Sequence, residues 1–307
     1  MKFLSQVAVV YHPGETLAEK LNEMGMGVKE FAVRTCKPEK TIIAVIKGDS
    51  AITTEMAVLF ECVTKIPAKM WIKMQRRYDE YLVRINREKQ AYEEIEWMER
   101  FPIEEMVRLG WISSCQDKVQ RVNTLYDYFG VSSKRAWYDY YINQELKIAF
   151  RISLMNTSDP YAISVWLRQG EILSSTIALN ITYSEKNLRA VLSDIAQVTE
   201  NMRDCFKVFR NMLASVGVKL ICVPSLTSVS MNAATRWIND VPIIQLSSEV
   251  CKSNILAFTI FHEIGHIVLH GKKEIFLEES TSIELNKEKE LEADNFAKKF
   301  VTRPRSK

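Results

Sequence analysis

Between residues 15 and 70 apolar residues recur at three-to-four spacing in short runs, punctuated by Gly25, Gly27, Pro38, Gly48 and Pro67. The pattern predicts short helices over Glu15–Met24, Val28–Thr35, Glu39–Lys47 and Thr54–Thr64, packed as a compact bundle. Thr53 or Thr54 is the expected N-cap of the fourth, and Pro38 stands where a first-turn proline would preset the third. From Met70 to Arg100 there is no Gly or Pro, and Trp71, Met74, Tyr78, Tyr81, Leu82 and Ile85 mark one face of a long helix. That helix is expected to link two domains. Further helices around Val107, Leu125, Phe129 and Trp137 make the middle of the chain all-α.

The texture then changes. Val216–Val223 and Ile243–Leu246 are β-branched runs bounded by Gly217, Pro224 and Pro242, and read as strands. Helical periodicity returns over Ile255–His270 and Glu288–Phe300. Strands flanked by helices predict a small α+β domain at the C-terminal end. The expected division is 1–70, 71–150 and 151–307, with no internal repeat and no low-complexity segment.

Composition adds mainly exclusions. At 307 residues, 47% hydrophobic and 26% charged, the chain is neither disordered nor fibrous. A net charge of +3 neither demands nor forbids a nucleic-acid partner. Six cysteines are scattered without a C-x-x-C pair, which points to reduced thiols. Neither a signal peptide nor a membrane-length apolar stretch is read, so a cytoplasmic protein without membrane contact is expected.

The chemistry concentrates near the end. Of four histidines, at 12, 262, 266 and 270, three fall within nine residues. On a helix His262 and His266 project from one face, with Glu263 offset beside them, the H-E-x-x-H arrangement of zinc peptidases. Zinc brings the pKa of water toward about 7, and a neighbouring carboxylate can take the proton as water attacks a polarised carbonyl. Glu263 is the expected general base. The preceding Ile255, Leu256, Phe258, Ile260 and Phe261 imply a buried helix, on which two histidines and a glutamate are costly unless something binds them.

A catalytic zinc usually takes three protein ligands. His270 lies about 12 Å along a continuous helix from His262, whereas ligands of one zinc stand about 3 to 4 Å apart. His270 is therefore expected to end the helix before Gly271 or to line the cleft. In the acidic segment after Lys287, Ala293, Phe296, Ala297 and Phe300 form the apolar stripe, and Glu290 extends it while Glu288 and Glu292 turn to solvent. Glu290 is the expected third ligand. Asp294, one turn on, is placed to accept the other ring N–H of a ligand histidine. No residue stands out as the oxyanion donor.

Near the other end, the second and third helices and the turn through Lys37 and Pro38 have the lengths of a helix-turn-helix. Lys37, Glu39, Lys40, Thr41 and Lys47 are then the candidate contacts to double-stranded DNA, while Ile42, Val45 and Ile46 face the core. From Tyr11 to Met70 eight Lys and Arg oppose eight Asp and Glu, so a helical bundle with solvated lysines fits the pattern equally.

Two resemblances join these readings. The stretch from His12-Pro13-Gly14-Glu15 through Lys37-Pro38-Glu39-Lys40-Thr41-Ile42, Ile52-Thr53-Thr54-Glu55-Met56-Ala57 and Trp71 resembles HigA-type antitoxins of the XRE helix-turn-helix class. Those are dimeric repressors of their own toxin operons, which implies operator DNA, a homodimer and a toxin partner. Val28 departs from the phosphate-binding Gln that many such domains carry. Phe261 to His270, Phe276-Leu277-Glu278 and Glu290 to Ala297 resemble the ImmA/IrrE metallo-endopeptidases, whose gluzincin-like ligands match His262, His266 and Glu290. Gly110-Trp111-Ile112, Phe150-Arg151-Ile152-Ser153, Val165-Trp166-Leu167-Arg168 and Ala234-Thr235-Arg236-Trp237 are similar to segments of fused HigA and ImmA proteins.

The resemblance thus implies a multidomain chain: an all-α helix-turn-helix domain, a helical middle and an α+β gluzincin-like zinc peptidase domain cleaving a repressor or toxin. The chain ends 13 residues after Asp294, earlier than the resembled proteins usually do, so a C-terminally short peptidase is expected. The rival readings are a non-catalytic antitoxin whose metal only stabilises the fold, and a peptidase whose helix-turn-helix only mediates dimerisation.

Overall fold

The computed structural model describes residues 10–143, 159–198, 205–228, 231–273, 276–279 and 287–301. The segment Phe150 to Ser153, named above, lies outside them. The protein is mostly helical with one small sheet, and it divides into two compact units, Met1–Glu93 and Glu94–Lys307. The long helix therefore belongs with the first unit, and the helical middle region groups with the α+β part.

In the first unit α1 (Pro13–Glu23), α2 (Val28–Arg34), α3 (Glu39–Ile46), α4 (Thr54–Thr64) and α5 (Ala68–Glu93) close around Leu17, Phe31, Ile42, Val45, Phe60 and Trp71, all buried. Thr53 caps α4, its hydroxyl accepting the Met56 N–H at 3.2 Å. Pro38 occupies the N-cap position of α3 and not its first turn, so α3 begins at Glu39. His12 caps α1: its Nδ1 accepts the Gly14 N–H at 2.9 Å, and the ring is buried against the Tyr78 ring. Burial lowers the His12 pKa, against the opposing pull of Asp79 and Glu15. At Gly14 a Cβ would stand 1.9 Å from the Val45 carbonyl oxygen, so only glycine lets α1 approach α3 this closely.

The expected helix over Met70–Arg100 stops at Glu93. No breaker residue is present; the cause is tertiary. The Glu94 carboxylate accepts the Tyr126 hydroxyl and, at 2.9 Å, the Lys134 backbone N–H. Trp97 on the short α6 (Ile95–Met98) packs into an aromatic cluster with Phe101, Tyr126 and Trp137. After α7 (Ile103–Arg108), the cluster is extended by Phe129 of α8 (Lys118–Phe129), Trp137 of α9 (Lys134–Trp137) and Tyr141 of a π-helical turn over Tyr138–Asn143.

Beyond it come α10 (Pro160–Ser175), α11 (Glu185–Val198) and α12 (Cys205–Ala214), then the sheet. Its strands are β1 (Lys219–Val223), β2 (Met231–Ile238), β3 (Val241–Ser247) and β4 (Phe276–Glu279), in the order β1-β3-β2-β4. β1 runs parallel to β3, with Lys219 opposite Ile243; β2 is antiparallel to both β3 and β4. The hairpin between β2 and β3 turns at Asn239 and Asp240, both at positive φ, as a two-residue turn of this hand requires. β1 starts at Lys219 and not at Val216 because Gly217, at φ +83°, still turns the chain.

β2 carries Arg236 in its buried interior, where the guanidinium donates to the Leu167 carbonyl, to Glu171 at 2.9 Å and to Gln245 at 3.2 Å. After α13 (Ser248–Cys251), α14 (Leu256–Leu269) threads the core, with Leu256, Ile260, Phe261, Ile264 and Ile267 all buried. α15 (Lys287–Val301) packs along it through Ala293, Phe296 and Ala297. Among the described residues no helix is long and apolar enough to cross a membrane.

Candidate metal centre

α14 forms because its residues from Leu256 to Leu269 are apolar on every side, so the core holds it. His262, Glu263 and His266 are carried into that core, at 3%, 1% and 1% exposure. Buried groups of this kind need partners. The Nε2 atoms of His262 and His266, one helical turn apart, stand 3.0 Å from each other. Glu290 arrives from α15, its Oε2 3.1 Å from His262 Nε2 and 3.6 Å from His266 Nε2.

What lets α15 come so close is Gly265. A Cβ there would meet Ala293 Cα at 3.1 Å and Phe296 Cβ at 3.4 Å, so a side chain at 265 would push the second helix, and Glu290 with it, outward. A mid-helix glycine costs about 1 kcal/mol relative to alanine, and here the close helix contact offsets it.

Two nitrogens and one carboxylate oxygen at 3.0, 3.1 and 3.6 Å form a small triangle. Four-coordinate zinc with bonds of about 2.0 to 2.1 Å would set its ligand atoms about 3.3 Å apart. The donor set therefore fits zinc in chemistry and in size. Among the described residues this is the one group of histidine, cysteine and carboxylate side chains that could hold a metal ion.

The electrostatics agree. Burial lowers the His266 pKa, outweighing the opposing pull of Glu290, which keeps the ring neutral with a lone pair to offer. Burial would raise Glu290, but its contacts with the rings of His262 and His266 outweigh it and hold its pKa down at about 2. Glu290 is thus an anion facing two imidazoles. Asp294 Oδ1 stands 3.0 Å from Nδ1 of His262, and a ring proton held at Nδ1 is one that Nε2 does not carry.

His270 lies outside the triangle. It caps α14 at its C-terminal end, before Gly271 at φ +71°, and its Nδ1 stands 3.1 Å from Nδ1 of His266. Its Nε2 meets Glu292 Oε2 at 2.9 Å, a pairing that spacing along the chain did not reveal.

The candidate DNA contacts sit in the other unit. Glu39 and Lys40 open α3 on its exposed side, Thr41 is half-buried, and Lys47 is the exposed C-cap. Lys37 lies in the turn before α3, joined to Glu55 at 2.7 Å. The turn itself is held by Thr35, whose hydroxyl donates to the Phe31 carbonyl at 2.8 Å, and by the Lys37 N–H on the Ala32 carbonyl. Ile42 and Val45 are buried and Ile46 half-buried, but Ile43 is exposed among the polar residues.

Comparison with known proteins sharpens only the last part of the chain. Residues 227–302 match the M78 peptidase family model described as the IrrE N-terminal-like domain, a span that contains all three triangle residues, Glu263 and Asp294. No curated protein matches the chain. Among solved structures, the chain is similar to a HigA-family addiction module antidote protein from Coxiella burnetii, at 25% identity and a TM-score of 0.27, over 28% of this chain and 96% of that one. It is also similar to a structure described as an antidote protein of a plasmid maintenance system from Nostoc punctiforme, at 25% identity and a TM-score of 0.27, over 29% and 97%.

Proposed function

We propose that the chain is a cytosolic bifunctional regulator in which a zinc-dependent endopeptidase, of gluzincin-like ligand set, is joined to a helix-turn-helix that holds operator DNA as a homodimer. The observation that carries the peptidase half is the buried triangle of His262, His266 and Glu290, next to a buried glutamate, in a segment that matches a peptidase family. A purely structural helix gains nothing from burying two imidazoles and a carboxylate together.

His262, His266 and Glu290 would hold the zinc. When bound, the metal supplies Lewis-acid chemistry, polarising a carbonyl and acidifying water. Glu263, one residue and about 100° around the helix from His262, takes the proton from the attacking water and passes it to the leaving amine. Asp294 keeps His262 in the tautomer that can bind. The apolar walls of α14 exclude bulk water around Glu263, which strengthens each charge interaction in the site. The substrate in this reading is a protein partner, a repressor or a toxin.

The DNA half rests on the geometry of α2, the turn at Cys36 and Lys37, and α3, whose exposed Glu39, Lys40 and Lys47 are free of the core. Replacing Glu263 with Gln keeps the shape of the site and removes the base. The expected result is a protein that still binds zinc and whose cleavage of the partner is slower by on the order of 10²- to 10⁴-fold. Undiminished cleavage overturns the mechanism. Zinc binding by a wild type that cleaves neither repressor nor toxin favours the non-catalytic antitoxin.

A further inference from the structure

Each histidine of the triangle has a second ring nitrogen, and the tautomer of each ring is fixed by what that nitrogen meets. For His262 the partner is Asp294. For His266 it is another histidine. His266 Nε2 belongs to the triangle and must carry a lone pair to bind a metal, so the proton of the neutral ring sits on Nδ1. That atom is 3.1 Å from His270 Nδ1, which must therefore accept. The proton of His270 is then on Nε2, where Glu292 Oε2, 2.9 Å away, is an acceptor only. One assignment of protons satisfies the whole run from carboxylate to triangle.

The placement of His270 supports the same reading. Its backbone N–H donates to the His266 carbonyl at 3.1 Å, at the point where α14 ends before Gly271. Its side chain is only 4% exposed, although it stands at a helix end. Glu292 reaches it from α15, two residues after Glu290 and two before Asp294. So α15 serves both rings: Asp294 orients His262 directly, and Glu292 orients His266 through His270.

We propose that His270 is a positioning residue for the metal site: it accepts the Nδ1 proton of His266, held in that tautomer by Glu292, so that His266 Nε2 is presented to the metal. The proposal rests on the zinc reading of the triangle. It assigns to His270 neither ligation nor proton transfer to substrate.

The test uses the full chain and zinc alone as probe, with affinity measured by competition against a chelator. His270→Ala lowers zinc affinity by about 10- to 100-fold. His270→Asn restores most of it, because the Asn Oδ1 falls where Nδ1 stood and still accepts. In the zinc-loaded wild type, long-range ¹H–¹⁵N correlation of the four histidines puts the His266 proton on Nδ1 and the His270 proton on Nε2; this readout needs no variant to fold. Unchanged affinity in His270→Ala overturns the proposal, as does an Asn variant no better than Ala, or a His270 proton on Nδ1. If Glu290→Ala abolishes zinc binding while His270→Ala leaves it intact, the relay alone falls. If the wild type binds no zinc, the metal reading falls and this falls with it.

Discussion

The two units place their chemistry on opposite sides of the surface. In Glu94–Lys307 the reactive side chains are inside: His262, Glu263 and His266 lie in the core, on a helix that is otherwise apolar. In Met1–Glu93 the candidate DNA contacts are outside: Glu39, Lys40 and Lys47 stand on α3 away from the apolar cluster of Leu17, Phe31 and Val45. Burial makes the first set informative, because an interior histidine must have a partner and the partner can be named. Exposure makes the second set permissive, because a solvated lysine is satisfied by water whether or not DNA is near. Lys37, in the turn before α3, is paired with Glu55. A functional reading therefore stands on geometry in one unit and on helix arrangement in the other.

The contrast can be broken from either side. The larger effect is expected in the buried site. Asp294→Ala removes the oxygen that stands 3.0 Å from His262 Nδ1, and zinc affinity measured by chelator competition should fall by about 10- to 100-fold; an unchanged affinity would show that His262 is oriented without it. A smaller change is expected on the surface. Lys40→Ala should weaken operator binding evenly across sequences and reduce the slope of log affinity against log salt by about 1. An unaltered slope in that titration removes Lys40 from the phosphate contacts.

The smallest effect concerns the one buried titratable group that the first unit shares in kind with the second. His12 has its pKa lowered by burial, so its neutral form is the folded form. As pH falls below the ordinary value of about 6.5, the unfolded chain takes up the proton first, and stability is lost over that window; above it the group contributes no pH dependence. Thermal unfolding from pH 7.5 to 5.5 should show the wild type losing stability faster than His12→Asn, which keeps a capping oxygen without a titrating ring. Parallel slopes for the two proteins would exclude His12 as the source.

Much of the site is legible in the chain because helical spacing is rigid. A spacing of four from His262 to His266 fixes them on one face, and the stripe Ala293, Phe296, Ala297 fixes the face from which Glu290 and Asp294 reach them. What depends on how two helices meet is not legible. Gly265 looks like a weak point in a helix until Ala293 is seen against it, and His270 finds Glu292 across 22 positions only because α14 and α15 lie side by side.

The same holds for the fold. The helices from α1 to α4 announce themselves by period and caps, whereas α5 is cut at Glu93 by partners of Glu94 that lie 32 and 40 positions away. β2 escaped notice because an interior strand covered on both faces does not alternate, and because Arg236 reads as a surface residue until Glu171 and Gln245 are found beside it. α10, α11 and α12 have no counterpart among the elements read from the sequence, whereas Asn239 and Asp240 between two apolar runs are residue types that suit the two-residue turn they form.

The central claim is that α14 and α15 together hold one zinc ion through His262, His266 and Glu290. Its most direct test is the metal content of the purified 307-residue chain beside that of Glu290→Ala. The account predicts one equivalent of zinc in the wild type and its loss in the variant, with the fold kept by circular dichroism. A wild type without zinc, or a variant that keeps its full equivalent, would contradict it.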